Sequence, residues 1–224
     1  MTIKKIKIYG ERNSGTNYLE QLLKKNIKNV DILLSGYKSG SGWKHGFPNM
    51  KLFNNLDDVL FIFIIRDFKS WLKSMYKQPY HYIPQNTFEE FINNKLNIKD
   101  NRIDHDVNIN SLEKQNIIDL RYLKINSYLD FFNKVNNAIF INLEDLQNNT
   151  VKFLDFLNKN YLINVNKKII KITEHTKDKK LKVINRNWNI IVPDNIKNEN
   201  KNIENQIENL KKKYYYKSKS LIFN

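Results

Sequence analysis

The chain holds 224 residues, 41% of them hydrophobic and 12% aromatic, enough to bury a core and to exclude a wholly disordered chain; the length fits one α/β-sized domain better than several. There is no cysteine, which removes disulfides, thiolate zinc sites and cysteine nucleophiles together, and no apolar run reaches the ~18 residues of a spanning helix, so a soluble, cytoplasmic protein without a signal segment is expected. The formal net charge of +15 attracts polyanions, but Asn, Lys and Ile together supply 98 of the 224 positions. The lysines therefore read as AT-rich coding and a solvated surface before they read as a nucleic-acid face.

Thr2 to Tyr9 alternates Ile with Lys and predicts a strand. Gly10-Glu11-Arg12-Asn13-Ser14-Gly15-Thr16-Asn17 follows, and then Tyr18, Leu19, Leu22 and Leu23 recur at helical spacing. A Gly-x4-Gly turn between a strand and a helix can surround an anion with backbone N–H groups and the positive end of the helix dipole. It can equally be a plain turn with Ser14 or Thr16 as helix cap. A nucleotide-hydrolysing loop places Lys directly after the second Gly; here that residue is Thr16.

Val30 to Leu34 is a short apolar run, and Gly36 to Gly46 gathers four of the six glycines into a loop interrupted by Trp43-Lys44-His45. Val59 to Ile65 (VLFIFII) is apolar on both faces and predicts a central parallel strand covered by helices on each side. It ends in Arg66-Asp67 and enters a helix, Asp67 to Lys77, bearing Ser70, Ser74 and Tyr76. Parallel strands end on one shared edge, where ligands bind. Arg66 there can clamp a second phosphate or pair with a nearby carboxylate. Ser74 lies eight residues on, about 12 Å along a helix, so meeting Arg66 takes the full reach of the arginine and Ser70 competes.

Further helices are predicted at Thr87 to Lys95, Leu112 to Phe132, Thr150 to Lys159, Lys167 to Thr173 and Asn198 to Lys213, with a buried strand at Ala138 to Leu143 (AIFINL). The alternation predicts an α/β fold with a central, mostly parallel sheet between helices, residues 1–224 forming one domain. Arg121 and Lys124, at i and i+3, share a helix face that is either solvated or in contact with an anionic acceptor. In Asp104-His105-Asp106 three adjacent residues cannot all face one ion in regular structure, so no metal site is read there. Of the histidines at 45, 81, 105 and 175, only His45 lies between the two phosphate-type turns.

These residues resemble the sulfotransferases that use 3′-phosphoadenosine 5′-phosphosulfate (PAPS), in five segments taken in order. IYGERNSGTNYLEQLL resembles the 5′-phosphosulfate loop, and FIIRDFKSWLKSMY the 3′-phosphate segment with Arg and Ser eight apart. WKHGFP is similar to the stretch carrying the catalytic histidine, and AIFINLEDLQNN to the strand ending Tyr-Glu-Asp-Leu. The segment from Leu181 through Tyr216 is similar to the closing segment with its basic stretch, Trp and helix. The resemblance implies a three-layer P-loop-like fold and transfer of a sulfuryl group from PAPS to a hydroxyl or amine of an acceptor, with carbohydrates among the candidates and no metal.

It also implies roles. Ser14, Gly15, Thr16 and Asn17, with Arg12 and Asn13 beside them, would cradle the 5′-phosphosulfate. Tyr18 would stack on adenine or, read plainly, fill the core. Arg66 and Ser74 would hold the 3′-phosphate, and Lys182 would close over it. His45 would be the general base, since an imidazole titrating near about 6.5 is neutral at physiological pH, and Lys44 or Arg12 would stabilise the leaving oxygen. The chain departs from the pattern at Asn13, where many members carry a basic residue, in the adjacency of Lys44 and His45, at Leu143 in place of a tyrosine, and at Val183 in place of a glycine. Two other readings stand beside this one. One is a nucleotide kinase with Asp67 as magnesium ligand; the other is a non-catalytic nucleic-acid binder whose only dense aromatic cluster is Tyr214-Tyr215-Tyr216.

Overall fold

The computed structural model describes residues 2–34, 36, 39–80, 82–96, 115–172 and 205. In chain order the elements are β1 (Lys5–Tyr9), α1 (Thr16–Asn26), β2 (Ile27–Lys28), β3 (Asp31–Ile32), β4 (Val59–Ile65), α2 (Phe68–Lys77), α3 (Phe88–Asn93), α4 (Ile117–Lys134), β5 (Ala138–Asn142), α5 (Leu143–Asn148), α6 (Thr150–Tyr161) and β6 (Asn164–Val165). Strands β3, β1, β4 and β5 lie side by side in that order, every pairing parallel. Tyr9 is opposite Phe63, and Ile65 opposite Asn142, so β1, β4 and β5 deliver the residues that follow them to one edge.

All seven residues of β4 are buried, and the pleat sends alternate side chains to opposite faces. On one face Ile6, Ile8, Leu60, Ile62 and Ile64 pack with Leu19, Leu22 and Leu23 of α1 and Leu154 and Leu157 of α6. On the other, Tyr9, Phe61 and Phe63 meet Tyr128, Phe131 and Phe132 of α4. Apolar strands covered on both sides are what a parallel sheet requires. A further cluster joins Phe68, Trp71, Leu72 and Met75 of α2 to Phe91 and Ile92 of α3 and to Ile117 and Leu120 at the start of α4.

Capping side chains mark the helix ends. Asp67 accepts from the Ser70 N–H, and Thr87 and Glu90 form a reciprocal capping box, as do Asn116 and Asp119, each satisfying first-turn amides that have no helical acceptor. Two predicted elements are corrected. Leu143 leaves the strand because the Asn142 side chain accepts the Glu144 N–H at 2.8 Å and opens α5. The stretch expected to be helical from Lys167 is not helical through Ile172: the buried Asn26 side chain takes both backbone groups of Ile170, at 2.8 and 2.6 Å, in place of helical partners. Thr173 and the helix predicted over Asn198 to Lys213 lie outside the described residues.

Lys7 departs from what Ile–Lys alternation announces. It is 0% exposed, and its ammonium donates to the Leu34 carbonyl and the Ser41 hydroxyl, each at 3.3 Å, and to the Gly42 carbonyl. Burial, helped by Lys44, brings its pKa down to about 8. This ammonium pins the glycine-rich loop to the middle of the sheet. Among the described residues no helix is long and apolar enough to cross a membrane.

Candidate functional site

The turn from Gly10 to Gly15 leaves β1 at the shared edge. The Ser14 N–H and hydroxyl both donate to the Glu11 carbonyl, at 3.2 and 2.7 Å, which curls the chain tightly. Gly15 has φ +95°, and a Cβ there would sit 2.5 Å from Leu143 Cδ1; at Gly10 a Cβ would sit 2.5 Å from the Ile64 carbonyl oxygen. Both glycines are thus demanded by the protein's own packing. The first helical bond of α1 runs from the Leu19 N–H to the Gly15 carbonyl at 3.0 Å. The amides of Thr16, Asn17 and Tyr18 are therefore first-turn donors without helical acceptors, and the first turn of α1 itself carries no acidic residue. That is the polarity an anion needs.

Arg66, at the end of β4, reaches back to this turn. Its Nη1 donates to the Asn13 carbonyl at 3.2 Å and to the Ser74 hydroxyl at 3.0 Å. The eight-residue spacing is spanned, and Ser74 rather than Ser70 is the partner. The carboxylate reading of Arg66 finds its group, because Glu144 Oε1 lies 3.7 Å from Nε. Asn13, at φ +61°, directs its side-chain amide to the Gln78 carbonyl at 3.2 Å and so ties the turn to the end of α2.

The loop carrying Lys44 and His45 is fastened to the same turn at two points. The Gly10 N–H donates to the Lys44 carbonyl at 2.9 Å, and His45 Nδ1 donates to the Gly10 carbonyl at 2.8 Å. Because a carbonyl can only accept, Nδ1 carries the ring proton and Nε2 is the basic nitrogen. Burial, together with the cations of Arg12, Lys44 and Lys124, holds the His45 pKa well below its ordinary value against the pull of the Gly10 carbonyl. The Lys44 ammonium bonds the Asn17 side-chain oxygen and lies 3.3 Å from Glu20. Lysine is absent after Gly15 in sequence, yet an ammonium from another loop reaches the start of α1.

Arg12 is buried, its guanidinium 4.6 Å from the Trp43 ring centre and 5.5 Å from that of Tyr82. Trp43 in turn meets His45 edge-on at 5.3 Å. Arg12, Trp43 and His45 thus form one cation–aromatic cluster beside the turn.

Arg121 and Lys124 are corrected from a solvated face or acceptor contact: each is only 5% exposed. Arg121 Nη1 bonds Glu11 Oε2 at 2.6 Å and its Nη2 bonds the Arg66 carbonyl at 2.8 Å, while Lys124 donates to the His45 carbonyl. Glu11 was not singled out in sequence, since nothing in a Gly-x4-Gly turn announces a buried acid. Burial raises its pKa to about 7 against the pull of Arg121 and Lys124.

The structure therefore brings together Arg12, Asn13, Ser14, Gly15, Thr16, Asn17, Lys44, His45, Arg66 and Ser74. Tyr18 starts from the same turn but packs partly buried against the apolar core, its hydroxyl 3.3 Å from that of Thr150, which matches its plainer reading. The carboxylate of Asp67, the magnesium ligand of the kinase reading, accepts the Ser70 N–H at 2.9 Å as the cap of α2. Lys182, His81, His105, His175 and the Tyr214–Tyr216 cluster lie outside the described residues. Among the described residues no group of three His, Asp or Glu could hold a metal ion. A scan against protein-family models, a search of curated proteins and a search of solved structures return no match for this chain.

Proposed function

We propose that the chain is a sulfotransferase of P-loop-like fold that moves a sulfuryl group from PAPS to a hydroxyl or amine of an acceptor. The observation that carries this reading is the bond from Arg66 Nη1 to both Ser74 and the Asn13 carbonyl. It joins a cation at the end of the most buried strand to a Gly-x4-Gly turn, and each of the two elements has the polarity to receive an anion. A ligand with phosphate-type groups at two places on one nucleoside fits that pair better than a ligand with a single chain of phosphates.

PAPS would supply the transferable sulfuryl group and a good leaving phosphate. The chain would supply the rest. The amides of Thr16, Asn17 and Tyr18 and the ammonium of Lys44 suit the 5′-side, and Arg66 with Ser74 suits the 3′-phosphate. As the acceptor oxygen forms its bond to sulfur and the bridging oxygen–sulfur bond breaks, His45 Nε2 would take the acceptor proton. Lys44 and Arg12 would offset the charge that appears on the leaving oxygen. The Nδ1 bond to Gly10 keeps the proton off Nε2 and the ring in place, as positioning requires.

Calorimetry with adenosine 3′,5′-bisphosphate, ATP and GTP tests this directly. The bisphosphate should bind tightest. Preference for ATP or GTP would move the chain to the kinase reading. Binding of none of the three, together with salt-steep binding of DNA or RNA, would move it to the nucleic-acid reading.

A further inference from the structure

Glu11 and Arg121 have no part in the chemistry above, yet they form a buried ion pair between residues 110 positions apart. Such a pair is weak evidence for stability, because desolvating two charges offsets much of their attraction. What Arg121 holds is more informative than the pair itself. Nη1 grips Glu11 in the first turn at 2.6 Å, and Nη2 grips the backbone carbonyl of Arg66 at 2.8 Å. Its guanidinium lies 4.5 Å from the ring centre of Trp71 on α2, and Trp71 Nε1 donates to the Arg12 carbonyl at 2.9 Å. Those three segments supply the Asn13 carbonyl, Arg66 itself and Ser74, the members of the Arg66 bond set. Glu11 Oε1 makes no hydrogen bond among the described residues, so the carboxylate is not otherwise anchored there.

We propose that Arg121 is a positioning residue that aligns Arg66 with the first turn, and that this alignment gives the site its preference for a nucleotide phosphorylated at the 3′-position. The proposal rests on the reading of the site as a two-phosphate nucleotide site. The planar fork of arginine is what the geometry uses, since two nitrogens of one rigid group hold acceptors on two different elements. A lysine keeps the positive charge beside Glu11 but has no such fork, and lets the two turns drift relative to each other. Small displacements of a charged clamp are enough to lose a phosphate contact.

The test is calorimetry of adenosine 3′,5′-bisphosphate and adenosine 5′-monophosphate on the wild type, on Arg121→Lys and on the double variant Glu11→Leu/Arg121→Met, with thermal melts to show that each is folded. In Arg121→Lys the preference for the bisphosphate should fall about tenfold, the scale of one charge-assisted bond, while monophosphate affinity stays within a few-fold. The double variant removes both buried charges, leaves no orphaned carboxylate, and should show the same fall. A folded variant of either kind that keeps the wild-type preference overturns the proposal and leaves the reading of the site standing. A wild type that binds the two nucleotides equally, or binds neither, overturns that reading and this proposal with it.

Discussion

Replacing Arg66 with Ala distinguishes a phosphate clamp from an arginine that only braces the fold. In the free protein the side chain makes bonds of 3.0 Å to Ser74 and 3.2 Å to the Asn13 carbonyl and lies 3.7 Å from Glu144, with 28% of its surface exposed. Discounted for that exposure, losing these contacts should cost about 1–2 kcal/mol of stability, or roughly 2–8 °C in Tm for a chain of this length. Binding should suffer more selectively. One charge-assisted bond to a 3′-phosphate stabilises a complex by about 1.5–3 kcal/mol, so the Kd for adenosine 3′,5′-bisphosphate should rise about 10- to 140-fold. Adenosine 5′-monophosphate, which lacks that phosphate, should bind almost as before. Glu144→Gln should act in the opposite sense, because it removes a carboxylate that competes for the same guanidinium; a partly exposed pair is worth at most about 1 kcal/mol, a gain of up to ~5-fold. Calorimetry on the three proteins with both nucleotides reads all of this. Equal losses for the two nucleotides in Arg66→Ala would refute the clamp and leave Arg66 a structural residue.

The remaining expectations concern the base, the buried lysine and the turn. His45→Ala should lower kcat by ~10²–10⁴, keep bisphosphate affinity within a few-fold and cost only about 1 kcal/mol of stability through the Gly10 bond. This is read once a screen of glycan, phenol and amine acceptors with radiolabelled PAPS finds a substrate, and near-wild-type turnover would assign the base elsewhere. Because burial and the cations of Arg12, Lys44 and Lys124 hold His45 neutral, the acid limb of wild-type kcat should fall well below pH 6.5; a limb at that ordinary value would show that the ring is not held neutral. Lys7→Met should cost about 1–2 kcal/mol in denaturant melts at neutral pH. Folded Lys7 releases its proton near about 8 and unfolded Lys7 near 10.5; between them the unfolded chain binds more protons, so wild-type stability relative to the variant should climb with pH across that window. A decline there would refute the burial argument. Gly15→Ala meets both a positive φ and Leu143 Cδ1, and should lose roughly 2–4 kcal/mol. Adding Leu143→Ala should recover only the steric part, and a single variant that melts like the wild type would show that the turn has another shape.

Features governed by near neighbours in the chain were legible without the fold. The apolar run of β4, the turn between β1 and α1, the long helix containing Arg121 and the strand–helix alternation follow from periodicity and turn chemistry, which act over a few residues. So do the candidate positions on the shared edge, because parallel strands must end together. The ends of elements were less legible: Asn142 opening α5 and Asn26 capturing Ile170 are single side chains whose choice of partner no periodic pattern encodes, in a chain where asparagine is too common to signal anything. Charge was the least legible. Lys7, Glu11, Arg121 and Lys124 look like solvated residues of a basic protein, yet all four are buried, each bonded to a group brought from a distant segment. Burying a charge becomes tolerable only when its partners arrive from elsewhere in the chain, and those arrivals exist only after the sheet and α4 have packed. Sequence alone could therefore nominate Arg66 and His45, while tertiary packing decided that Ser74 answers Arg66, that His45 points a neutral Nε2 away from Gly10, and that Arg121 joins the two turns.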